Sequence, residues 1–230
     1  MPLNKSKGNM YSWVTHTHSH LAGACPHGCS YCYVQKMCRT DKYKGEPRLI
    51  KSELDINYGS GKTIFIEHMS DMFAHGIKDE WVGRILTHCK LFPGNNYVFQ
   101  TKDPERAFDW FWKQAVFPKK FIMGTTIETD RLTQGCAPLT SSRSKWIRAF
   151  REYGARTFIT IEPIMDFEVS VLSEWVIRDS PDFINIGADS KGCSLSEPAK
   201  EKILQLIENI KSAGIEIKQK PNLGRLINGL

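Results

Sequence analysis

Cys25-Pro-His-Gly-Cys29-Ser-Tyr-Cys32 gathers three of the chain's seven cysteines into one short run, with three and then two residues between them. Thiolates are the ligands of soft metals and iron–sulfur centres. A run this tight, interrupted by Pro26 and Gly28, suits a loop wrapped around an inorganic group. A cubane closed by protein alone needs four such ligands. Three leave one iron open to a small molecule, by the logic that makes an open metal position catalytic and a closed one structural. His16, His18, His20 and His27 lie close by, and side chains at alternate positions share one face of a strand. A zinc site of three cysteines and one histidine is therefore the second chemistry the same stretch supports.

With Tyr31 directly before the last cysteine, the C-x3-C-x2-C spacing resembles the signature of the radical S-adenosylmethionine (radical SAM) superfamily. The resemblance implies a [4Fe–4S] cluster on Cys25, Cys29 and Cys32. Its open iron would take the amino and carboxylate groups of S-adenosylmethionine. An electron from the cluster would then split the sulfonium to give a 5′-deoxyadenosyl radical.

Composition bounds the setting. A chain of 230 residues, 41% hydrophobic and 24% charged, reads as one soluble globular domain over 1–230. No apolar run approaches the roughly 20 residues needed to span a bilayer. The start, Met1-Pro-Leu-Asn-Lys-Ser-Lys, has no apolar stretch behind it, so no secretory signal is expected. Seven cysteines without an even framework point to a reducing, cytoplasmic setting. The net charge of +6 is compatible with an anionic partner without requiring one.

The elements that must position the cysteines follow from periodicity. Tyr11 to His18 reads as a first strand, followed by the cysteine loop and a short helix over Tyr31 to Arg39. Asp41 to Gly61, polar and glycine-rich, reads as a long connection. Within it Gly59-Ser-Gly61-Lys62-Thr63 imitates a phosphate-binding loop. The first glycine of that motif would fall at Ile56, and the stretch leads into a strand where the motif leads out of one. Further strands are expected at Thr63–Ile66, Asn96–Gln100, Phe121–Met123, Arg156–Ile161, Asp182–Ile186 and Ile215–Lys218. Helices fall between them: Asp79–Leu91, one opened by Asp103-Pro104, Ser142–Tyr153 stopped by Gly154, Val169–Ile177, and one capped by Ser196 and stopped by Gly214. Six strand–helix units and a terminal strand are too few for an eight-stranded barrel. They predict an α/β fold, a partial (β/α)6 TIM-like barrel with a parallel sheet and a C-terminal closing strand, a doubly wound open sheet being the alternative.

In such folds the working residues collect at the C-terminal ends of the strands. The blocks found there, Glu67-His-Met-Ser-Asp-Met-Phe73, Gln100-Thr-Lys-Asp-Pro-Glu-Arg106, Gly124-Thr-Thr-Ile-Glu128 and Ile161-Glu-Pro163, look like those of a phage- and bacteria-associated radical SAM family. By that resemblance Ser70 and Asp71 receive the amino group of S-adenosylmethionine, and Lys102 pairs with its carboxylate. Thr126 and Glu128 would bind the ribose hydroxyls, and Glu162 the adenine or the floor of the site. Cys193, in the glycine-flanked loop after the sixth strand, is a candidate hydrogen-atom donor, with Lys191 beside it.

The function expected is hydrogen abstraction from a substrate, with flavodoxin or ferredoxin as electron donor. Lys191, Lys218 and Lys220 near the barrel mouth would suit the phosphates of DNA or RNA, while a peptide or a small molecule fits as well. A zinc-binding, nucleic-acid-binding module without catalysis is the alternative.

Overall fold

The computed structural model describes residues 3–37, 40–114 and 116–229, and only the backbone of Met37 and Gln114. Cys38 and Arg39, the expected end of the helix after the cysteine loop, lie outside the described residues. The strands are β1 (Asn4–Lys5), β2 (His16–His18), β3 (Leu21–Ala22), β4 (Arg48–Leu49), β5 (Thr63–Ile66), β6 (Asn96–Thr101), β7 (Phe121–Thr126), β8 (Arg156–Ile161), β9 (Phe183–Ile186) and β10 (Glu216–Gln219). The helices are α1 (Tyr33–Met37), α2 (Asp79–Lys90), α3 (Pro104–Gln114), α4 (Thr140–Glu152), α5 (Val169–Asp179), α6 (Lys200–Ser212) and α7 (Gly224–Asn228).

The main sheet has the order β1-β2-β5-β6-β7-β8-β9-β10, and β3 and β4 pair separately. From β2 onward, sheet order follows chain order without reversal. That is the α/β arrangement of a partial barrel; a doubly wound sheet would reverse at a switch point. The chain divides into two compact units, Met1–Ile122 with Gly135–Ala137, and Met123–Gln134 with Pro138–Leu230.

In the first unit, β2 pairs parallel with β5 and β5 with β6, while β1 closes the edge antiparallel to β2. Ile64, Ile66, Val98 and Phe99 are buried, as are Val82, Ile85, Leu86 and Cys89 on one face of α2. Burying each such side chain is worth about 1.5–3 kcal/mol, so this stripe fixes α2 against the strands. Cys89 belongs to that core. Asp103 caps α3 as its sequence implies, its Oδ1 accepting the Arg106 N–H at 3.2 Å ahead of proline at the first helical position.

The expected long first strand is only β2. The Val14 N–H turns back to the Tyr11 carbonyl at 3.0 Å, and the Tyr11 and Trp13 rings stack at 5.2 Å. The expected connection over Asp41–Gly61 carries β4, which pairs antiparallel with β3. It straps the approach to the cysteines: Gly23 N–H bonds Lys42 O, Ala24 N–H bonds Gly45 O, and Ile50 N–H bonds His20 O, each at 2.8 Å. Gly23 sits at φ +85°, where a Cβ would lie 2.1 Å from the Glu46 carbonyl oxygen, so the strap closes only over glycine. The Lys62 ammonium caps the carbonyl of Tyr58 at 2.9 Å, and Lys62 leads into β5.

In the second unit, β8 pairs parallel with β9 and β9 with β10. Ile159, Ile161, Ile184 and Ile186 are buried, as are Ile147 and Phe150 of α4, Leu172 and Val176 of α5, and Ile203, Leu206 and Ile210 of α6. Gly154 and Gly214, at φ +82° and +77°, stop α4 and α6 as expected. The expected cap at Ser196 is displaced. α6 opens at Lys200 behind Ala199, because Pro198 drives the residue before it out of the helical region. Ser196 accepts the Asp166 N–H at 2.6 Å through its carbonyl instead. Among the described residues no helix is long and apolar enough to cross a membrane.

Candidate functional site

The cysteine loop follows β2 and β3 at the C-terminal end of the first parallel strand. Two tight turns shape it: Gly28 N–H bonds Cys25 O at 3.2 Å and Cys32 N–H bonds Cys29 O at 3.0 Å, with Gly28 at φ +57°. Cys25, Cys29 and Cys32 are free thiols, each partly exposed. Burial, followed by the nearby Asp71 carboxylate, pushes the Cys25 thiol up to about 12, so deprotonation there calls for a compensating cation.

Asp71 ties this loop to the end of β6. Its Oδ2 accepts from His27 Nε2 and the Lys102 N–H, each at 2.8 Å, and from the Thr101 hydroxyl at 2.9 Å. Oδ1 accepts the Phe73 N–H at 3.0 Å. Burial alone would raise this carboxyl, but His27 and the converging N–H and O–H donors hold it below the usual aspartate value. Lys102, one residue past β6, turns its ammonium toward Cys29 Sγ at 3.3 Å. It also bonds the Tyr31 hydroxyl and lies 4.2 Å from that ring's centre. Ser70 closes a turn by donating its N–H to Glu67 O at 3.2 Å, and Tyr33 of α1 donates to His68 O in the same segment. A strip from farther along the chain completes the surround. Cys136 N–H bonds the His27 carbonyl at 2.7 Å, and a Cβ on Gly135 would stand 2.7 Å from that same oxygen. Sequence reasoning set His27 apart only as a possible zinc ligand and missed Gly135 and Cys136, whose partners lie far off in the chain.

The histidines that would complete a zinc site have other engagements. His20 Nδ1 donates to Glu67 Oε1 at 2.7 Å, and its Nε2 meets the Tyr58 hydroxyl at 2.8 Å and His88 Nδ1 at 3.1 Å. His18 Nε2 donates to Glu53 O at 3.3 Å, and His27 holds Asp71. His18 and His20 do lie together, their rings 4.5 Å apart edge to face, but as part of this buried network. Among the described residues, no three His, Cys, Asp or Glu side chains converge on a single metal ion. A cubane asks for a different arrangement, each thiolate on its own iron, and three partly exposed thiols on one turned loop beside a fixed ammonium fit that demand.

The other sequence candidates lie in the second unit. Glu128, fully buried, pairs with Arg143 of α4 at 3.0 Å. Arg143 Nη1 also donates to Thr126 O at 2.9 Å, and its Nε to Pro138 O at 2.7 Å. Among the described residues its Nη2, though buried, has no hydrogen-bond partner, a donor left for a bound group or water. Glu162 receives the Lys220 ammonium at 2.6 Å and Asn222 Nδ2 at 3.0 Å. Gly187 makes room for it, since a Cβ there would stand 2.8 Å from the carboxyl group. Lys218 pairs with Glu216 at 2.7 Å on the surface, and Lys220 is held by Glu162.

The loop after β9 folds around Asp189, which accepts the N–H groups of Lys191 at 2.8 Å and of Cys193. Burial raises that carboxyl, and these N–H groups with the Cys193 thiol bring it below its ordinary value. The group facing the Cys193 thiol is thus a carboxylate, where the sequence had suggested the Lys191 ammonium. The same loop lines an open cleft of about 740 Å³ with Ser194, Glu197, Asn222 and Arg225.

Residues 9–180 match a family described as a protein of unknown function (DUF5131). Comparison with curated protein sequences finds no match. Among solved structures, the fold is similar to spore photoproduct lyase. One variant of that enzyme gives a TM-score of 0.66 at 13% identity, over 95% of this chain and 79% of that one. Another, with bound AdoMet and dinucleoside spore photoproduct, gives 0.62 at 12% identity, over 91% and 78%. Streptococcus suis SuiB bound to S-adenosylmethionine gives 0.57 at 12% identity, over 91% of this chain and 51% of that chain.

Proposed function

The chain belongs to the family of unknown function DUF5131, and from its cysteine loop we propose that it is a radical SAM enzyme. One observation carries the reading: three partly exposed thiols on a single turned loop, at the C-terminal end of the first parallel strand. The fold it shares with spore photoproduct lyase and SuiB supports it.

Cys25, Cys29 and Cys32 would hold a [4Fe–4S] cluster. When bound, that group supplies the electron that cleaves S-adenosylmethionine to methionine and a 5′-deoxyadenosyl radical able to take a hydrogen atom from substrate. The chain's own residues position and shield the reacting groups. Asp71 fixes the cysteine loop against β6, and the turn over Glu67–Ser70 offers Ser70 and backbone carbonyls to the amino group of S-adenosylmethionine. Thr126 and Glu128, the latter oriented by Arg143, serve the ribose. Glu162, held by Lys220 and Asn222, shapes the floor. Cys193, in the loop whose neighbouring residues line an open cleft, returns a hydrogen atom to the substrate radical. We take 1–230 as one catalytic core, supplied with electrons by a flavodoxin or ferredoxin.

A nucleic acid is the proposed substrate class. The net charge of +6 is compatible with it, and the likeness to an enzyme solved with a dinucleoside photoproduct supports it.

The test is anaerobic reconstitution with iron and sulfide. The protein should take up about four irons and release 5′-deoxyadenosine from S-adenosylmethionine under reducing conditions. Cys25→Ala, Cys29→Ala and Cys32→Ala should each abolish both, while Cys193→Ala should keep cleavage and alter the final product. A protein that retains zinc in the presence of excess iron and sulfide, and stays colourless, refutes the reading.

A further inference from the structure

We propose that Lys102 is a positioning residue for the redox centre: Tyr31 clamps its ammonium so that it donates a hydrogen bond to the sulfur of Cys29. The inference rests on the cluster reading above and adds what sets the cluster's potential.

The geometry is specific. Lys102 Nζ lies 3.3 Å from Cys29 Sγ, a hydrogen-bonding distance for nitrogen to sulfur. A lysine on its flexible stem normally samples many positions. This one is fixed at both ends. Its backbone N–H is held by Asp71 at 2.8 Å. Its ammonium bonds the Tyr31 hydroxyl and sits 4.2 Å from the centre of the Tyr31 ring, within cation–π range. The aromatic of the cysteine motif thereby gains a task. Tyr31, two residues after Cys29, holds a positive charge on that cysteine's sulfur.

Asp71 braces the same arrangement from the other side, through His27 of the loop at 2.8 Å. The end of β6 is thus joined to the cysteine loop twice, once through Lys102 and once through Asp71.

Hydrogen bonds to the sulfurs and net local charge are among the factors that set iron–sulfur potentials. A fixed cation on a ligand sulfur stabilises the form with the extra electron. Removing it must move the midpoint to more negative values, so that a given donor reduces a smaller fraction of the protein.

The experiment is a redox titration of the reconstituted protein without S-adenosylmethionine, with dithionite as reductant and the reduced cluster followed by electron paramagnetic resonance. Poised at the wild-type midpoint, Lys102→Met should show a reduced-to-oxidised ratio about tenfold lower, equivalent to a shift of about 59 mV for one electron. Lys102→Arg, which keeps a donor and the charge, should recover most of it. Tyr31→Phe should move the ratio the same way by less. A loaded Lys102→Met protein with the wild-type midpoint overturns the proposal.

A second measurement needs no variant. Wild-type protein labelled with 15N at the lysine side chain should show hyperfine coupling between one lysine nitrogen and the reduced cluster, and its absence overturns the proposal as well. The two readings fail distinguishably: a wild-type protein that takes up no cluster refutes the proposed function, whereas a loaded wild type with an indifferent Lys102 refutes this inference alone.

Discussion

Replacing Asp71 with asparagine removes one charge and one acceptor from a carboxylate that receives four protein donors. Oδ2 takes His27 at 2.8 Å, the Lys102 N–H at 2.8 Å and the Thr101 hydroxyl at 2.9 Å, and Oδ1 takes the Phe73 N–H at 3.0 Å. An amide keeps one acceptor oxygen and turns two hydrogens toward whichever donors it no longer accepts. Each hydrogen bond to a charged acceptor is worth about 1.5–3 kcal/mol, and removing one partner of a buried charged pair costs about 3–5 kcal/mol. Asp71→Asn should therefore cost about 3–5 kcal/mol. With a urea slope of about 2–3 kcal/mol per molar, the midpoint of the apoprotein should fall by roughly 1–2.5 M. The pH dependence has a definite sign. The folded carboxyl is held below its ordinary value of 3.8, so its contribution is present above that value and is lost as pH falls through the folded one. The gap between wild type and variant should stay constant near neutrality and narrow only in acid below about pH 4. Cluster uptake should fall too, because His27 loses its anchor. An unchanged urea midpoint refutes the bracing role. If S-adenosylmethionine affinity drops while stability and iron content hold, Asp71 instead serves the amino group directly, as the family resemblance implies.

Acid should also act through the buried histidines. Burial and then the neighbouring His20 hold His18 down to about 3 and His88 to about 4, from 6.5. The unfolded chain binds these protons near pH 6.5 and the folded chain does not, so apoprotein stability should be full above 6.5 and decline toward pH 4 at about 1.4 kcal/mol per pH unit for each histidine. A flat profile between pH 6.5 and 4.5 in equilibrium denaturation contradicts this. In the second unit, a Cβ on Gly124 of β7 would meet the Phe158 ring at 2.2 Å. Gly124→Ala should cost about 1–3 kcal/mol or more, and Phe158→Leu in the same chain should recover part of it. A thermal midpoint within a degree of wild type for the single variant shows that the ring has room to move.

The elements that hold the site were written locally, and its wiring was not. Strand–helix alternation, Asp103 before Pro104, and the stops at Gly154 and Gly214 are short-range signals, and each occurs in the fold where its chemistry places it. Strands of two residues, β1, β3 and β4, are too short to show a period, and Pro198 outweighed Ser196 as the marker of where α6 begins. The candidates Asp71, Lys102, Glu128 and Glu162 were named from strand ends and the family resemblance, which say where a polar group sits but not what it faces. Their partners lie far along the chain: His27 for Asp71, Cys29 and Tyr31 for Lys102, Arg143 for Glu128, and Lys220 for Glu162. One of these was within reach. Ile147 and Phe150 define the inward face of α4, and Arg143 stands four residues before the first and seven before the second, in phase with that face. A charged residue in phase with an apolar stripe has to find a buried counter-charge. Glu128, on the segment just after β7, was the acid that sequence had already set apart. Read together, the two positions predict the ion pair that neither predicts alone.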